Sequence, residues 1–208
     1  MKKVIIPILL VTAGVLLSLV ATTTLRFVTL KEEENTHYHA DFMIHINGEM
    51  MMLDDPEYYK EEVPAPCSTG EHTSDPLERA HLHDRVPSVV HVEDEAVTWG
   101  HFFQNLGYTV SKDILITPEG DIYKLEGEKR LRFILNGKEE SIISGRVIQN
   151  KDRLLVSYGE ETGQELIDGK YNEVTERAEE YNNTPDPEGC SGSKVESFTD
   201  KLKRAFIN

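Results

Sequence analysis

All eight histidines of this 208-residue chain lie between His37 and His101. Several fall two residues from another potential ligand, and on an extended strand residues i and i+2 project from the same face. His37/His39, His81/His83 and His91/Glu93 are therefore candidate two-point clamps. Two such clamps brought together supply four donors. Imidazole and carboxylate in that number suit Zn²⁺ at about 2.0–2.2 Å. Imidazole also suits Cu²⁺, and a thioether would favour Cu⁺. The best group is His81, His83 and His91 with Glu93 or Asp84, because "HLHD" is followed within a few residues by "HVE". Asp84 has a second use, orienting an imidazole from outside the ligand set.

The stretch "HYHADFMIHI", residues 37–46, alternates with period two. Its odd positions carry His37, His39, Asp41, Met43 and His45, and its even positions are mostly apolar, which predicts a half-buried strand. His39, Asp41 and His45 form a second candidate set, and the two sets join if this strand lies beside Val89–Glu93. A single histidine on a strand is ordinarily a surface or hydrogen-bonded residue, so the expectation rests on the recurrence of pairs. His72 stands apart, and His101, at a helix start, reads as a capping or packing residue. Met43 and Met50, Met51 and Met52 are potential soft ligands, but adjacent strand residues face opposite ways and packing is the simpler account.

The elements that must position these side chains follow from turn and capping signals. Asn47-Gly48 and Asn136-Gly137 are hairpin turn pairs. Val89–Val92, Ile114–Thr117, Ile122–Leu125, Leu131–Leu135 and Leu154–Tyr158 read as strands. "TWGHFFQNLG" reads as a short helix capped by Thr98 and ended by Gly107, with Trp99, Phe102, Phe103 and Leu106 toward a sheet. Asp54–Asp84 is loop-like, with a short helix near Tyr58–Glu62. Gln164–Tyr181 reads as one polar amphipathic helix, "NNTPDPEGCSGS" as a linker, and Ser197–Phe206 as a closing helix. Asn182-Asn183-Thr184 also matches a glycosylation sequon, weakened by Pro185.

The first 31 residues bear on compartment. Met1-Lys2-Lys3 precedes an uncharged, mostly aliphatic run from Val4 to Leu25, about long enough to cross a bilayer as a helix. The preceding lysines predict a single-pass anchor with its N-terminus cytoplasmic and the bulk of the chain extracytoplasmic. A cleaved signal peptide, with Leu19-Val20-Ala21 as cleavage context, is the rival. Outside the cytoplasm Cys67 and Cys190 are disulfide candidates, with one of them serving as a metal ligand as the alternative. Paired, they would constrain the unfolded chain by ~4–5 kcal/mol in the loop-entropy picture. Hydrophobic residues make up 38% and charged residues 28%, as in a globular protein, and the net charge of −15 with no basic cluster argues against nucleic acid as a partner. The predicted organisation is an anchor with short flanks (1–31), a His-rich extracytoplasmic α+β domain (32–160) and an acidic helical tail with a cysteine-containing linker (161–208).

"VVHVEDEAVTWGHFFQNLG", "LRFILNGKEE" and "DRLLVSYG" resemble the β-grasp type, a mixed or antiparallel sheet packed on a short helix. Together with "HADFMIHINGE", "HLHD" and "LLVSYGEET" they also resemble a set of uncharacterised, membrane-anchored or secreted prokaryotic His-rich domains. The likeness runs from about His39 to Cys190. Members often read "VIHVH" where this chain has Val89-Val90-His91-Val92-Glu93, so Glu93 replaces a histidine. The resemblance implies the domain boundaries and the His-rich character and supplies no activity.

The motifs of serine hydrolases, zinc proteases, phosphate loops and dinucleotide sites are missing. Three function classes remain. The first is an anchored module binding Zn or Cu through paired histidines, structural or metal-handling. The second is a protein-interaction or envelope-assembly module without metal, docking a protein partner through a sheet edge. The third is a metal-dependent hydrolase or redox enzyme with Glu93, Asp94 or Glu95 as base.

Overall fold

The computed structural model describes residues 2–30, 36–59, 79–184 and 198–207. Cys67, Cys190, His72 and the linker lie outside the described residues, as does the pairing proposed for the two cysteines. The chain forms two compact units, Thr36–Gly192 and a smaller one of Met1–Asn35 with Ser193–Asn208.

In the smaller unit, α1 (Lys2–Thr29) contains one stretch, Val11–Thr29, long and apolar enough to span a membrane. A secretory signal meets the same criterion. Its apolar side chains point outward, with Leu17 75% and Val28 73% exposed. Thr22, Thr23 and Thr24 each donate a hydroxyl to the carbonyl four residues back at 2.8 Å, so their polar groups are satisfied within the helix. The closing helix, Phe198–Ile207, sets Phe198 edge-on to Phe27 at 5.2 Å.

The larger unit is α+β and is built on a seven-stranded mixed sheet with a separate three-stranded sheet. Its strands are β1 (Tyr38–Ile46), β2 (Glu49–Met50), β3 (Ala80–Leu82), β4 (Val89–Val92), β5 (Thr109–Val110), β6 (Ile114–Ile116), β7 (Ile122–Lys124), β8 (Arg130–Leu135), β9 (Lys138–Glu140) and β10 (Arg153–Gly159). The large sheet runs β3-β4-β1-β10-β8-β9, with β2 paired to β1, and β5-β6-β7 form the small sheet. β1 lies in the middle, parallel to β10 and antiparallel to β4. Both Asn-Gly turns have positive φ at both residues, 52° and 91° at Asn47-Gly48 and 51° and 76° at Asn136-Gly137. That is the backbone whose twist matches the flanking strands.

The even side chains of β1, Ala40, Phe42 and Ile44, enter the main core with Val90, Val92, Leu154 and Val156. α2 (Trp99–Asn105) covers this face, and Phe42 meets Phe102 edge-on at 4.9 Å. Thr98 caps α2 in a reciprocal box with His101, the capping role expected for that histidine. Gly100 is required by close approach, since a Cβ there would lie 2.4 Å from the Ser144 carbonyl oxygen.

Two local expectations change. β3 is a strand inside the region read as a loop, and three residues are too short for periodicity to reveal it. Gln164–Tyr181 is not one helix. It comprises α3 (Gly163–Asp168), a 3₁₀ turn at Lys170–Glu173, an extended link and α4 (Ala178–Asn182). The break falls at Gly169, a poor helix former, and the link is captured by a side chain of β1 described below. Leu166, Tyr171 and Val174 pack on Ile134 and Leu155 across the second face of the sheet. β1 is consequently covered on both sides rather than half-buried, and its odd residues His39, Asp41 and His45 are only 3%, 1% and 2% exposed.

Candidate metal centre

Strand register assembles the site. His39 on β1 faces His91 on β4, and His91 faces His81 on β3. Three imidazoles thus form a row across three adjacent strands. Ring centroids are 4.5 Å apart for His39 and His91 and 4.9 Å for His81 and His91. His37, two residues before His39, places its ring 4.6 Å from that of His91. Glu93, two residues after His91, places Oε1 3.4 Å from His91 Nε2. The joining condition stated for the two candidate sets is met, because β1 is the neighbour of β4.

Among the described residues, ligand-capable atoms converge as two triads, His37/His39/His91 and His81/His91/Glu93, each with its donor atoms within 4.8 Å of one another. His39 Nε2 and His91 Nδ1 are 2.7 Å apart. Two nitrogens bound to one tetrahedral ion at ~2.0–2.1 Å are about 3.3 Å apart. A few tenths of an ångström of side-chain rotation separates the two arrangements.

The hydrogen bonds assign the His39 proton. Asn182 Oδ1 accepts from the His39 backbone N–H at 2.9 Å, which fixes that atom as the oxygen. His39 Nδ1 is 2.9 Å from the same oxygen and must be the donor there. In a neutral ring Nε2 then carries the lone pair, and it points at His91. A ligating histidine held through its other nitrogen by an oxygen acceptor is the usual outer arrangement of metal sites. Asn182 is itself held, donating from Nδ2 to Asn150 Oδ1 at 2.8 Å.

The remaining candidate residues are placed otherwise. The His83 ring stacks beside His91 at 5.7 Å, and its Nδ1 is 3.1 Å from Asp84 Oδ1, so it flanks the triads. Asp41 is fully engaged elsewhere, accepting from Arg177 N at 3.0 Å, Ala178 N at 2.9 Å and the Thr175 hydroxyl. It tethers the chain that covers the histidine face. His45 lies toward the other end of β1. Its Nε2 is 3.0 Å from Met43 Sδ and 3.8 Å from Glu173 Oε2. Burial, then Lys170, lower the His45 pKa against the opposing pull of Glu173 and Glu161. Asp94 is bound by Arg79 at 2.7 Å.

Asn182, Thr175 and Asn150 are the residues supporting the candidate site that sequence reasoning missed. Asn182 opened the stretch read as a linker and as a sequon, just past the expected helix, and no local signal ties it to a histidine 143 residues away. No family model, curated protein or solved structure matches the chain.

Proposed function

We propose that the protein is a single-pass membrane-anchored domain, extracytoplasmic and of β-grasp type, that holds Zn or Cu on its histidine face. The metal has a structural or metal-handling role. The observation that carries this reading is the approach of His39 Nε2 to His91 Nδ1, with the His39 proton committed to Asn182. A hydrogen bond that commits the His39 proton, a half-buried carboxylate neighbour and three strands of matching register together favour ligation over simple packing. Neutral imidazole nitrogens and a carboxylate form an N/O donor set suited to Zn²⁺ or Cu²⁺. The β-grasp assignment draws support from the central parallel pair, β1 with β10, and from α2 packing Phe102 on Phe42 of β1. The anchor draws support from the outward-facing apolar surface of α1, and its orientation from Lys2 and Lys3. Membership of the uncharacterised His-rich prokaryotic group belongs to the same proposal.

Full-length protein purified in detergent and equilibrated with Zn²⁺ or Cu²⁺ tests it. After removal of free ion, bound metal is expected at one or more equivalents per chain. His39→Ala combined with His91→Ala should abolish it while Trp99 fluorescence reports an intact core. Metal-free wild-type protein, or metal retained by the double variant, would overturn the reading.

A further inference from the structure

The two triads share one residue, and they use opposite sides of its ring. His91 Nδ1 lies 2.7 Å from His39 Nε2, whereas His91 Nε2 lies 3.4 Å from Glu93 Oε1. His37 joins the first side and His81 the second. The row is therefore not one four-ligand cage with spare histidines. It is two three-donor sets placed back to back across a single imidazole.

The proton assignment of His39 sharpens this. With the His39 lone pair aimed at His91 Nδ1, something positive must lie between those nitrogens, either a ring proton or a metal ion. On the other side the His91 Nε2–Glu93 contact makes the same demand, because a lone pair and a carboxylate repel. A neutral His91 has one ring proton and meets only one of the two demands. A second ring proton, making His91 an imidazolium, meets the other demand, and so does a metal ion, since the donors on each side are those that suit a divalent transition metal.

We infer that His91 bridges two metal ions as an imidazolate, one held by His37, His39 and His91 Nδ1 and the other by His81, Glu93 and His91 Nε2. Binding of the second ion releases the remaining His91 ring proton to solvent. With ~2.0 Å bonds on either side of the ring the ions stand about 6 Å apart. Each ion has three protein donors, which leaves a coordination position beyond the protein set. The nitrogen-only side favours Cu²⁺, and the mixed side accepts Zn²⁺. This inference rests on the histidine face being a metal site and adds the number of ions and the way they communicate.

The test uses the full chain in detergent. Saturation with Zn²⁺ followed by removal of free ion should leave two equivalents per chain. Saturation with Cu²⁺ should give a pair coupled through the imidazolate, so that low-temperature electron paramagnetic resonance integrates to far fewer spins than the bound copper. Glu93→Gln and His37→Gln, which remove one peripheral ligand from either side, should each lower the content from two ions to one and restore an isolated copper signal. Trp99 fluorescence checks that each variant is folded. One ion in the wild type would overturn the bridge and leave the metal-binding reading standing, and none would overturn both. Two ions with full, uncoupled spin intensity, or stoichiometry unmoved by Glu93→Gln, would also overturn the bridge.

Discussion

Asp41→Ala is expected to destabilise the larger unit by about 2–4 kcal/mol although Asp41 belongs to neither histidine triad. Three donors converge on its carboxylate, from Thr175 Oγ1, Arg177 N and Ala178 N. Their fates on truncation differ. Ala178 is 1% exposed, so its N–H is stranded and bears the full cost of an unmet buried donor, ~1–3 kcal/mol. Arg177 is exposed and Thr175 half-buried, so both regain water, and together they add about 1 kcal/mol for the lost charge-assisted bonds. The assay is urea unfolding of the full chain in detergent, followed by Trp99, the single tryptophan and fully buried. At a typical slope of ~2 kcal/mol/M the midpoint should fall by about 1–2 M. Asp41→Asn keeps one acceptor oxygen and should fall between the variant and wild type. Amide exchange should accelerate across residues 175–182 before it does so in β10. A midpoint loss below ~0.25 M, or unchanged exchange in that segment, would refute the view that this carboxylate holds down the cover of the histidine face.

Three further outcomes follow from the same contacts. Asn182→Ala removes the acceptor that sets the His39 tautomer and should weaken metal binding by ~10–100-fold in competition titrations, and an unchanged affinity would show the tautomer to be irrelevant. The folded-state pKa of His45 lies below that of a free histidine, ~6.5, so the unfolded chain takes up that proton first as pH falls. The stability it contributes is present above pH ~6.5 and is lost as pH falls toward the folded value, so His45→Asn should flatten the fall in urea midpoint between pH 7.5 and 5, and an equally steep fall would count against the assignment. Gly100→Ala drives a methyl against the Ser144 carbonyl oxygen, 2.4 Å away, and should lower stability by at least ~1–3 kcal/mol, where a loss under ~0.5 kcal/mol would show that the loop yields freely.

What could be read beforehand was local chemistry. Asn-Gly pairs need positive φ, Thr98 and Gly107 bound a short helix, and period two marked β1, all settled by neighbours within a few residues. His81, His91 and Glu93 were grouped for a similar reason, since a strand forces alternate side chains together. The choice between Asp41 as ligand and Asp41 as tether was not local, because its partners sit at positions 175–178 and nothing in "HADF" names them. Reading 161–182 as tail had the same origin. Its charge suits a solvated helix, but Leu166, Tyr171 and Val174 are enough apolar surface to close a sheet face. His83 shows the limit of spacing arguments, for its pairing with His81 is sound as a strand pattern, yet β3 ends at Leu82.

The central strand of the sheet is bonded to the last one, and this orders events during synthesis. A chain emerging from its N-terminus displays every imidazole of the row before β10 and Asn182 exist. Until then β1 has an open edge beside its parallel partner's place, and non-local closure of this kind is the slow step of sheet assembly. Rings displayed early are untethered and their tautomers unassigned, and only the finished polypeptide locks them. The ordered histidine row is thus a late product of maturation, and any truncation upstream of Thr175 should leave the imidazoles present but no longer locked in one arrangement.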